Sequence, residues 1–192
     1  MKVLVLAGPE SSGKSWLSEE IQQHFGGVLV GEYVRYFIEQ QGRDTCYADI
    51  QAIAHGQLAW EDAARATAPE LLILDTHLLS NLLWSKTLFG ECPAWIEQQL
   101  LARHYDLHLL LSPEGVDWTG DGQRCQPQLS ERLAFFDASR QWLDHRQQNY
   151  RIIGGDWNTR REQAMTLVAQ LLSASPDLVL VQQAVERGPG NA

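Results

Sequence analysis

The sequence predicts a three-layer α/β fold on a mostly parallel five-stranded sheet. Three observations lead there. Short continuous runs of Val, Ile and Leu recur along the chain, as in strands buried on both faces. Stretches with helical spacing separate each run from the next, the pattern of parallel strands joined by crossover helices. A glycine-rich stretch, Gly8-Pro9-Glu10-Ser11-Ser12-Gly13-Lys14-Ser15, stands between the first run and the first helical segment.

"KVLVLAG" is the first strand. Ser15 to Phe25 follows as a helix, with Leu17, Ile21 and Phe25 on one stripe. "GGVLVGEY" reads as a second buried strand, and "VRYFIEQQG" as a short helix stopped by Gly42. Asp49 to Ala66 is a longer helix that ends before Pro69. "ELLILDT" is a third strand ending in an acid, and Leu78 to Phe89 is helical. Pro93 opens a helix through about His104, at a position that suits proline. "YDLHLLLS" is a fourth strand, followed by the Gly-, Pro- and Asp-rich loop "PEGVDWTGDGQRCQP". A long helix over roughly Leu129 to Asn149 leads to a fifth strand, "YRIIGG". Thr159 to Leu172 is the last helix, with Asn158 or Thr159 as its cap. Residues 1–175 thus form one domain. In the tail over 176–192, "DLVLVQQAV" suits a strand or a docked helix, and "ERGPGNA" a frayed end.

Composition narrows the function. A net charge of −9 opposes a surface built for nucleic acid or an anionic membrane. It leaves room for a nucleotide, which needs only a local cluster of cations. Cys46, Cys92 and Cys125 show neither metal-ligand spacing nor a disulfide framework, so a reducing cytoplasm is expected. The apolar run Val3 to Ala7 is too short for a signal peptide or membrane helix. Seven arginines, Arg124, Arg132, Arg140, Arg146, Arg151, Arg160 and Arg161, lie between positions 124 and 161 without a lysine. Most read as a solvated helix face. Arg124 and Arg132, beside the long loop, are the exceptions.

The glycine-rich stretch has the spacing G-x-x-x-x-G-K-S, with a strand before it and a helix after it. This is the phosphate-binding loop of P-loop NTPases. Gly8 and Gly13 permit the tight turns, and the amides around Ser11, Ser12 and Gly13 face phosphate oxygens at a helix N-terminus. Lys14 is expected to reach the β- and γ-phosphates of ATP, and Ser15 to ligate Mg²⁺. Asp75, ending the third strand, is the expected acid for Mg²⁺, although a strand-terminal Asp followed by Thr76 also suits a plain helix cap.

The loop "WTGDGQR" after the fourth strand stands where nucleoside and nucleotide kinases of this topology carry a lid. A lid excludes water and lays arginine on the transferring phosphoryl group, which nominates Arg124 and Arg132. The plainer reading is a polar surface turn. In "GEYVRYF", Glu32 stands at a strand's carboxyl end and suits a general base, with Arg35 to orient the acceptor. The same pair also suits an i, i+3 surface ion pair. Tyr33, Tyr36, Trp84 and Trp118 offer flat faces for a ring. Trp157 or Arg161, after the fifth strand, is expected beside the adenine. The six histidines show no ligand spacing.

With these residues in view, the chain resembles the kinase domain of the NadR family, the ribosylnicotinamide kinases. The likeness runs through "GPESSGKS", "GEYVRYFIE", "IAHGQ", "ILDT", "LFGECP", "YDLHLLL", "WTGDGQR" and "IIGGDWNTR". It implies ATP-dependent phosphorylation of the 5′-hydroxyl of nicotinamide riboside, giving the mononucleotide in NAD salvage. Residue by residue, it implies phosphate binding at Gly8, Gly13, Lys14 and Ser15, an acid at Asp75, and a lid at Asp121, Gly122 and Arg124. It also supports Glu32 and Arg35 as site residues. The family commonly reads D-T-D where this chain has Asp75-Thr76-His77. Full-length members add a nucleotidyltransferase domain, and often a DNA-binding domain, for which this stretch has no room. Two other readings stay open: a kinase of another nucleoside or small hydroxyl metabolite, and a nucleotide-binding regulator. The expected partner is a small molecule, and assembly into a homo-oligomer is left open.

Overall fold

Strand β1 (Lys2–Ala7) runs through the middle of the sheet, between β3 (Leu71–Asp75) and β4 (Leu107–Leu111). The edge strands are β2 (Val28–Val30), beside β3, and β5 (Tyr150–Ile153), beside β4. The order is β2-β3-β1-β4-β5, and every pairing is parallel, so the expected mostly parallel sheet is wholly parallel among the described residues. The computed structural model describes residues 1–174. The tail over 176–192 lies outside the described residues.

Two-residue alternation sends Val3, Val5 and Ala7 to one face of the sheet and Leu4 and Leu6 to the other. The first face packs beneath α3 (Ile50–Ala66), α4 (Leu78–Phe89), α5 (Ala94–Leu101) and α6 (Leu129–His145). The second packs against α1 (Lys14–Phe25) and α7 (Trp157–Ser173). Each Leu, Ile or Val taken from water here contributes about 1.5–3 kcal/mol. The three inner strands are buried along their whole length save for Lys2 at the start of β1. In β2, expected as a buried strand, only Val30 is buried, because an edge strand has one neighbour and less helix cover. Helix α2 (Tyr33–Gln41) buries no residue fully and lies over the carboxyl end of β2.

Several element ends move for local reasons. The last helix starts at Trp157 because the Asp156 side chain accepts from the Thr159 N–H at 2.8 Å. Asp156 is therefore the cap, and Asn158 and Thr159 sit inside the first turn. The long helix stops at His145, since Gln147 takes a left-handed backbone (φ 51°) and turns the chain toward β5. A short 3-10 turn, Tyr47–Asp49, precedes α3.

His77, where the resembling family has an acid, faces the core and is 1% exposed. Its Nε2 lies 3.3 Å from Nε2 of His108, and its ring meets Tyr105 edge-on. Burial, with His108 and Arg65 adding, holds its pKa well below the ordinary histidine value. His108 is likewise held down to about 4 by burial, against the bond to the Asn149 carbonyl. Both imidazoles are thus neutral at pH 7, and a neutral pair can share one proton along the Nε2–Nε2 line.

Candidate active site

Parallel register gathers the motif residues at one end of the sheet. Leu6 pairs with Asp75 and Val30 with Leu74. The phosphate loop, Asp75 and the Gly31-Glu32 step therefore leave the sheet side by side, at the carboxyl ends where α/β proteins place ligands. A cavity of about 640 Å³ opens there. That volume is in the range of small-molecule sites.

One end of the cavity is walled by Glu10 to Trp16 and Trp157. Gly8 lies behind this wall at φ 130°, and a Cβ there would stand 2.6 Å from the Leu111 carbonyl oxygen. The loop can therefore turn off β1 only because residue 8 has no side chain. Gly13, at φ 90°, carries the Trp157 ring directly on its Cα. Trp157 also meets Trp16 edge-on at 4.9 Å. Lys14 Nζ donates to the Pro9 carbonyl at 2.7 Å. Burial lowers the Lys14 pKa, and the charges of Glu32 and Asp75 partly offset this.

The other end is walled by Val34, Ile38, Ile50, Ile53, Trp84, Leu88 and Phe89, with Asp44, Gln57, Ser80 and Asn81 as polar points. Between the two ends stand Glu32 and Arg35. Burial raises the Glu32 pKa, Asp75 adds to the rise, and Lys14 and Arg35 oppose it. The Glu32 side chain is 17% exposed and accepts from Arg35 Nε at 3.0 Å.

The placement of Glu32 follows from α3. Gln57, 2% exposed, accepts from the Tyr33 N–H at 2.9 Å and donates to the Gly31 carbonyl at 3.2 Å. It thus holds the residues on both sides of Glu32. Gly56 makes room beside it, since a Cβ there would fall 2.1 Å from the Tyr33 ring. "GEY" and "GQ" are two halves of one brace.

Asp75 is 6% exposed, and its Oδ1 has no hydrogen-bond partner among the described residues. An orphaned buried carboxylate oxygen beside the phosphate loop fits a Mg²⁺ ligand, directly or through water. Ser15 lines the cavity and supplies the second oxygen of that donor set. No group of three or more His, Cys, Asp or Glu able to hold a metal occurs among the described residues.

The loop after β4 folds over the phosphate end. Ser11 Oγ donates to the Thr119 carbonyl at 3.3 Å and accepts from the Thr119 N–H at 3.2 Å. Asp121 Oδ1 accepts from the Gln123 and Arg124 amides, each at 3.0 Å, which shapes the tip. Asp121 Oδ2 accepts from Arg35 Nη1 at 2.8 Å and pairs with Arg124 Nε at 3.1 Å. Burial alone would raise the Asp121 pKa, but the bonds from Arg35 and the Gln123 amide, with the charges of Arg35 and Arg124, hold it at about 2. Arg124 lines the cavity.

Several expected site residues stand elsewhere. Tyr33 and Tyr36 point to the other side of α2 and pack on Trp60, with ring centroids 4.8 and 5.7 Å away. Neither lines the cavity, because the helical turn that brings Val34, Arg35 and Ile38 inward sends them outward. Trp118 is not a wall of the cavity. Its indole N–H donates to Glu10 at 2.7 Å. Arg132 lies in the first turn of α6, buried and not among the residues that line the cavity, with Nε and Nη1 unpartnered among the described residues. Arg161 pairs with Glu20 at 2.7 Å on the surface. Trp84 does line the cavity, and Asp121 reaches it only through Arg35 and Arg124.

The reading of Arg160 as a solvated arginine is also corrected. It is 0% exposed. Its guanidinium donates to the carbonyls of Gly155 (2.7 Å), Ser112 (2.9 Å), Glu114 (2.6 Å) and Ser12 (3.3 Å). It clamps the phosphate loop, the lid stem and the loop after β5 together. Burial lowers its pKa. Gln57, Glu10 and Arg160 are the residues that sequence reasoning passed over. For Gln57 the signal was present in "GQ"; for the other two, only the tertiary contacts reveal the role.

The chain is similar to several known proteins. The chain is 24% identical over 177 residues to the trifunctional NAD biosynthesis/regulator protein NadR of Escherichia coli K12, covering 90% of this chain and 43% of that protein. It is 27% identical over 139 residues to the protein of the same name from Salmonella typhimurium LT2, covering 70% and 34%. The chain thus spans less than half the length of these relatives. The structure of NadR in complex with NR superposes with a TM-score of 0.68 at 16% identity, over 91% of this chain and 51% of that one. Deoxyadenosine kinase from M. mycoides with bound dATP gives 0.63 at 14%, over 88% and 100%. These structures share the P-loop nucleoside kinase fold with this chain. The family model described as AAA domain (AAA_28) matches residues 3–160, from β1 into α7, and the chain belongs to that family of P-loop domains.

Proposed function

We propose that this chain is an ATP-dependent kinase that phosphorylates the 5′-hydroxyl of nicotinamide riboside to give nicotinamide mononucleotide. The observation that carries the reading is the single cavity that joins the phosphate loop to a half-apolar chamber, with Glu32 at the junction. The E. coli relative is named for NAD biosynthesis, and the NadR structure was determined with NR. Nicotinamide riboside is a cation with a flat ring. Trp84 offers an aromatic face, and Asp44 and Glu32 place two acidic side chains in the same cavity lining.

In this reading the phosphate loop amides and Lys14 hold the β- and γ-phosphates, with phosphate oxygen replacing the Pro9 carbonyl at Nζ. Ser15 and Asp75 would hold Mg²⁺, which neutralises phosphate charge when bound. Glu32 accepts the proton of the 5′-hydroxyl as its oxygen bonds to the γ-phosphorus and the bond to the β–γ bridging oxygen breaks. ADP leaves with that oxygen. Arg35 keeps the Glu32 carboxylate turned toward the hydroxyl. Arg124 faces the transferring group and offsets its charge.

The likeness to deoxyadenosine kinase keeps a second acceptor class, a neutral nucleoside, in view. The test is mass detection of the monophosphate from purified protein, ATP and Mg²⁺ with nicotinamide riboside, adenosine, deoxyadenosine, uridine or thymidine. Nicotinamide mononucleotide is the expected product, with Lys14→Ala lowering turnover by about a thousandfold or more. Phosphorylation of another nucleoside in its place would overturn the acceptor. No phosphorylation of any nucleoside would overturn the kinase.

A further inference from the structure

A carboxylate inside a phosphate-binding loop needs an explanation, because it repels the anion that the loop receives. Glu10 is such a group, and it lines the phosphate end of the cavity. Its two oxygens accept three N–H bonds, all from the loop after β4. Oε1 takes the Trp118 indole at 2.7 Å and the Gln126 amide at 2.8 Å. Oε2 takes the Cys125 amide at 3.0 Å. One anion thus gathers both ends of the segment 118–126, and between those ends stand Asp121 and Arg124. The carboxylate accepts and never donates here, so all three bonds are charge-assisted.

We propose that Glu10 is a positioning residue that fastens the lid to the phosphate loop and thereby holds Arg124 over the transferring phosphoryl group. Its negative charge is directed onto lid N–H groups rather than toward the nucleotide. The loop that binds phosphate and the loop that covers it then move as one body. Ser11 adds a second tie through Thr119, but a neutral one. The inference rests on the reading of the cavity as a phosphoryl-transfer site. Without the Glu10 tie, nucleotide still binds to the loop amides and Lys14, but the lid opens to water. The chemical consequence is a change of acceptor: a water oxygen bonds to the γ-phosphorus in place of the nucleoside hydroxyl, the bond to the β–γ bridging oxygen breaks, ADP leaves with that oxygen, and inorganic phosphate and a proton pass to solvent.

The test compares wild type with Glu10→Gln and Trp118→Phe. Glutamine turns an N–H₂ toward one of the lid amides, and phenylalanine removes the indole donor while keeping a smaller aromatic ring. Two readouts are used: amide hydrogen exchange over 118–126, and the ratio of ADP formed to nucleoside monophosphate formed. Both variants are expected to lose protection at Cys125 and Gln126 by about tenfold and to raise that ratio by about tenfold, with KM for ATP within about threefold of wild type. Unchanged protection in Glu10→Gln would overturn the tie. Lost protection with an unchanged ratio would overturn the positioning role and leave Glu10 as a structural brace only. Hydrogen exchange and hydrolysis of ATP alone need no acceptor, so failure of the nicotinamide riboside reading is recognised separately. Trp118→Phe, which leaves the phosphate loop sequence intact, keeps the test valid where Glu10→Gln does not fold.

Discussion

Gln57 holds the residues on both sides of Glu32, and Gln57→Leu tests that brace. Leucine keeps most of the side-chain volume in a site that is 2% exposed, so the packing of α3 survives. What is lost is a pair of hydrogen bonds, to the Tyr33 N–H and the Gly31 carbonyl. Gly31 is exposed, and its carbonyl recovers a water. The Tyr33 amide is half-buried, and leaving it unpaired costs about 1–3 kcal/mol. For a domain of this size that lowers Tm by about 3–10 °C. The first turn of α2 then shifts, and Glu32 shifts with it. Displacement of a base by a fraction of an ångström to an ångström lowers kcat by about ten- to a hundredfold. ATP binding is spared, because the phosphate loop is held by Arg160 from the other side of the sheet. The assay is thermal unfolding beside steady-state kinetics with ATP and acceptor varied in turn. A variant with Tm lowered as expected but kcat within twofold of wild type would refute the link from Gln57 to Glu32.

Two further outcomes are expected. Asp75→Asn keeps the size and the capping oxygen but removes the anion, so activity falls steeply and raised Mg²⁺ restores it only in part; unchanged activity would mark Asp75 as a helix cap, a task asparagine performs equally well. Because burial raises the Glu32 pKa, with Asp75 adding and Lys14 opposing, the acid limb of kcat/KM lies above the roughly 4.3 of a free glutamate, and activity falls as pH drops through it and the base takes up its proton; pH–rate profiles of wild type and Glu32→Gln decide this, and a limb that persists in the glutamine variant rules Glu32 out as its source.

The parts of the site that the sequence made legible are those in which function is local. The phosphate loop is eight consecutive residues between a strand and a helix, and Asp75 ends the neighbouring apolar run, so parallel pairing alone brings them together. Glu32 follows by the same logic from β2. The aromatic residues were less legible, because "EYVRYF" carries apolar groups on both sides of one short helix. Its period does not say which side meets the cavity. Val34 and Ile38 do, whereas Tyr33 and Tyr36 meet Trp60. The adjacent pair Arg160 and Arg161 shows the same limit more sharply. One is wholly buried on carbonyls and the other pairs with Glu20 at the surface, and nothing within "NTRRE" distinguishes them. Burial of a guanidinium here depends on oxygens from three loops, two of them distant in sequence, and that is a property of the assembled sheet.

The Arg160 clamp also bears on how this scaffold can diverge. It addresses Ser12, Ser112, Glu114 and Gly155 only through their main-chain oxygens, which every amino acid possesses. Of the four, only the exposed Glu114 can drift freely in a lineage, since Gly155 takes a left-handed backbone (φ 90°) against Thr159 and Ser12 and Ser112 are buried. The arginine itself has no such freedom. Lysine carries three donors on one nitrogen, whereas these four oxygens lie around a planar fork. A descendant could remodel the lid stem around Glu114 and keep the same frame beneath its nucleotide, provided that one guanidinium stays.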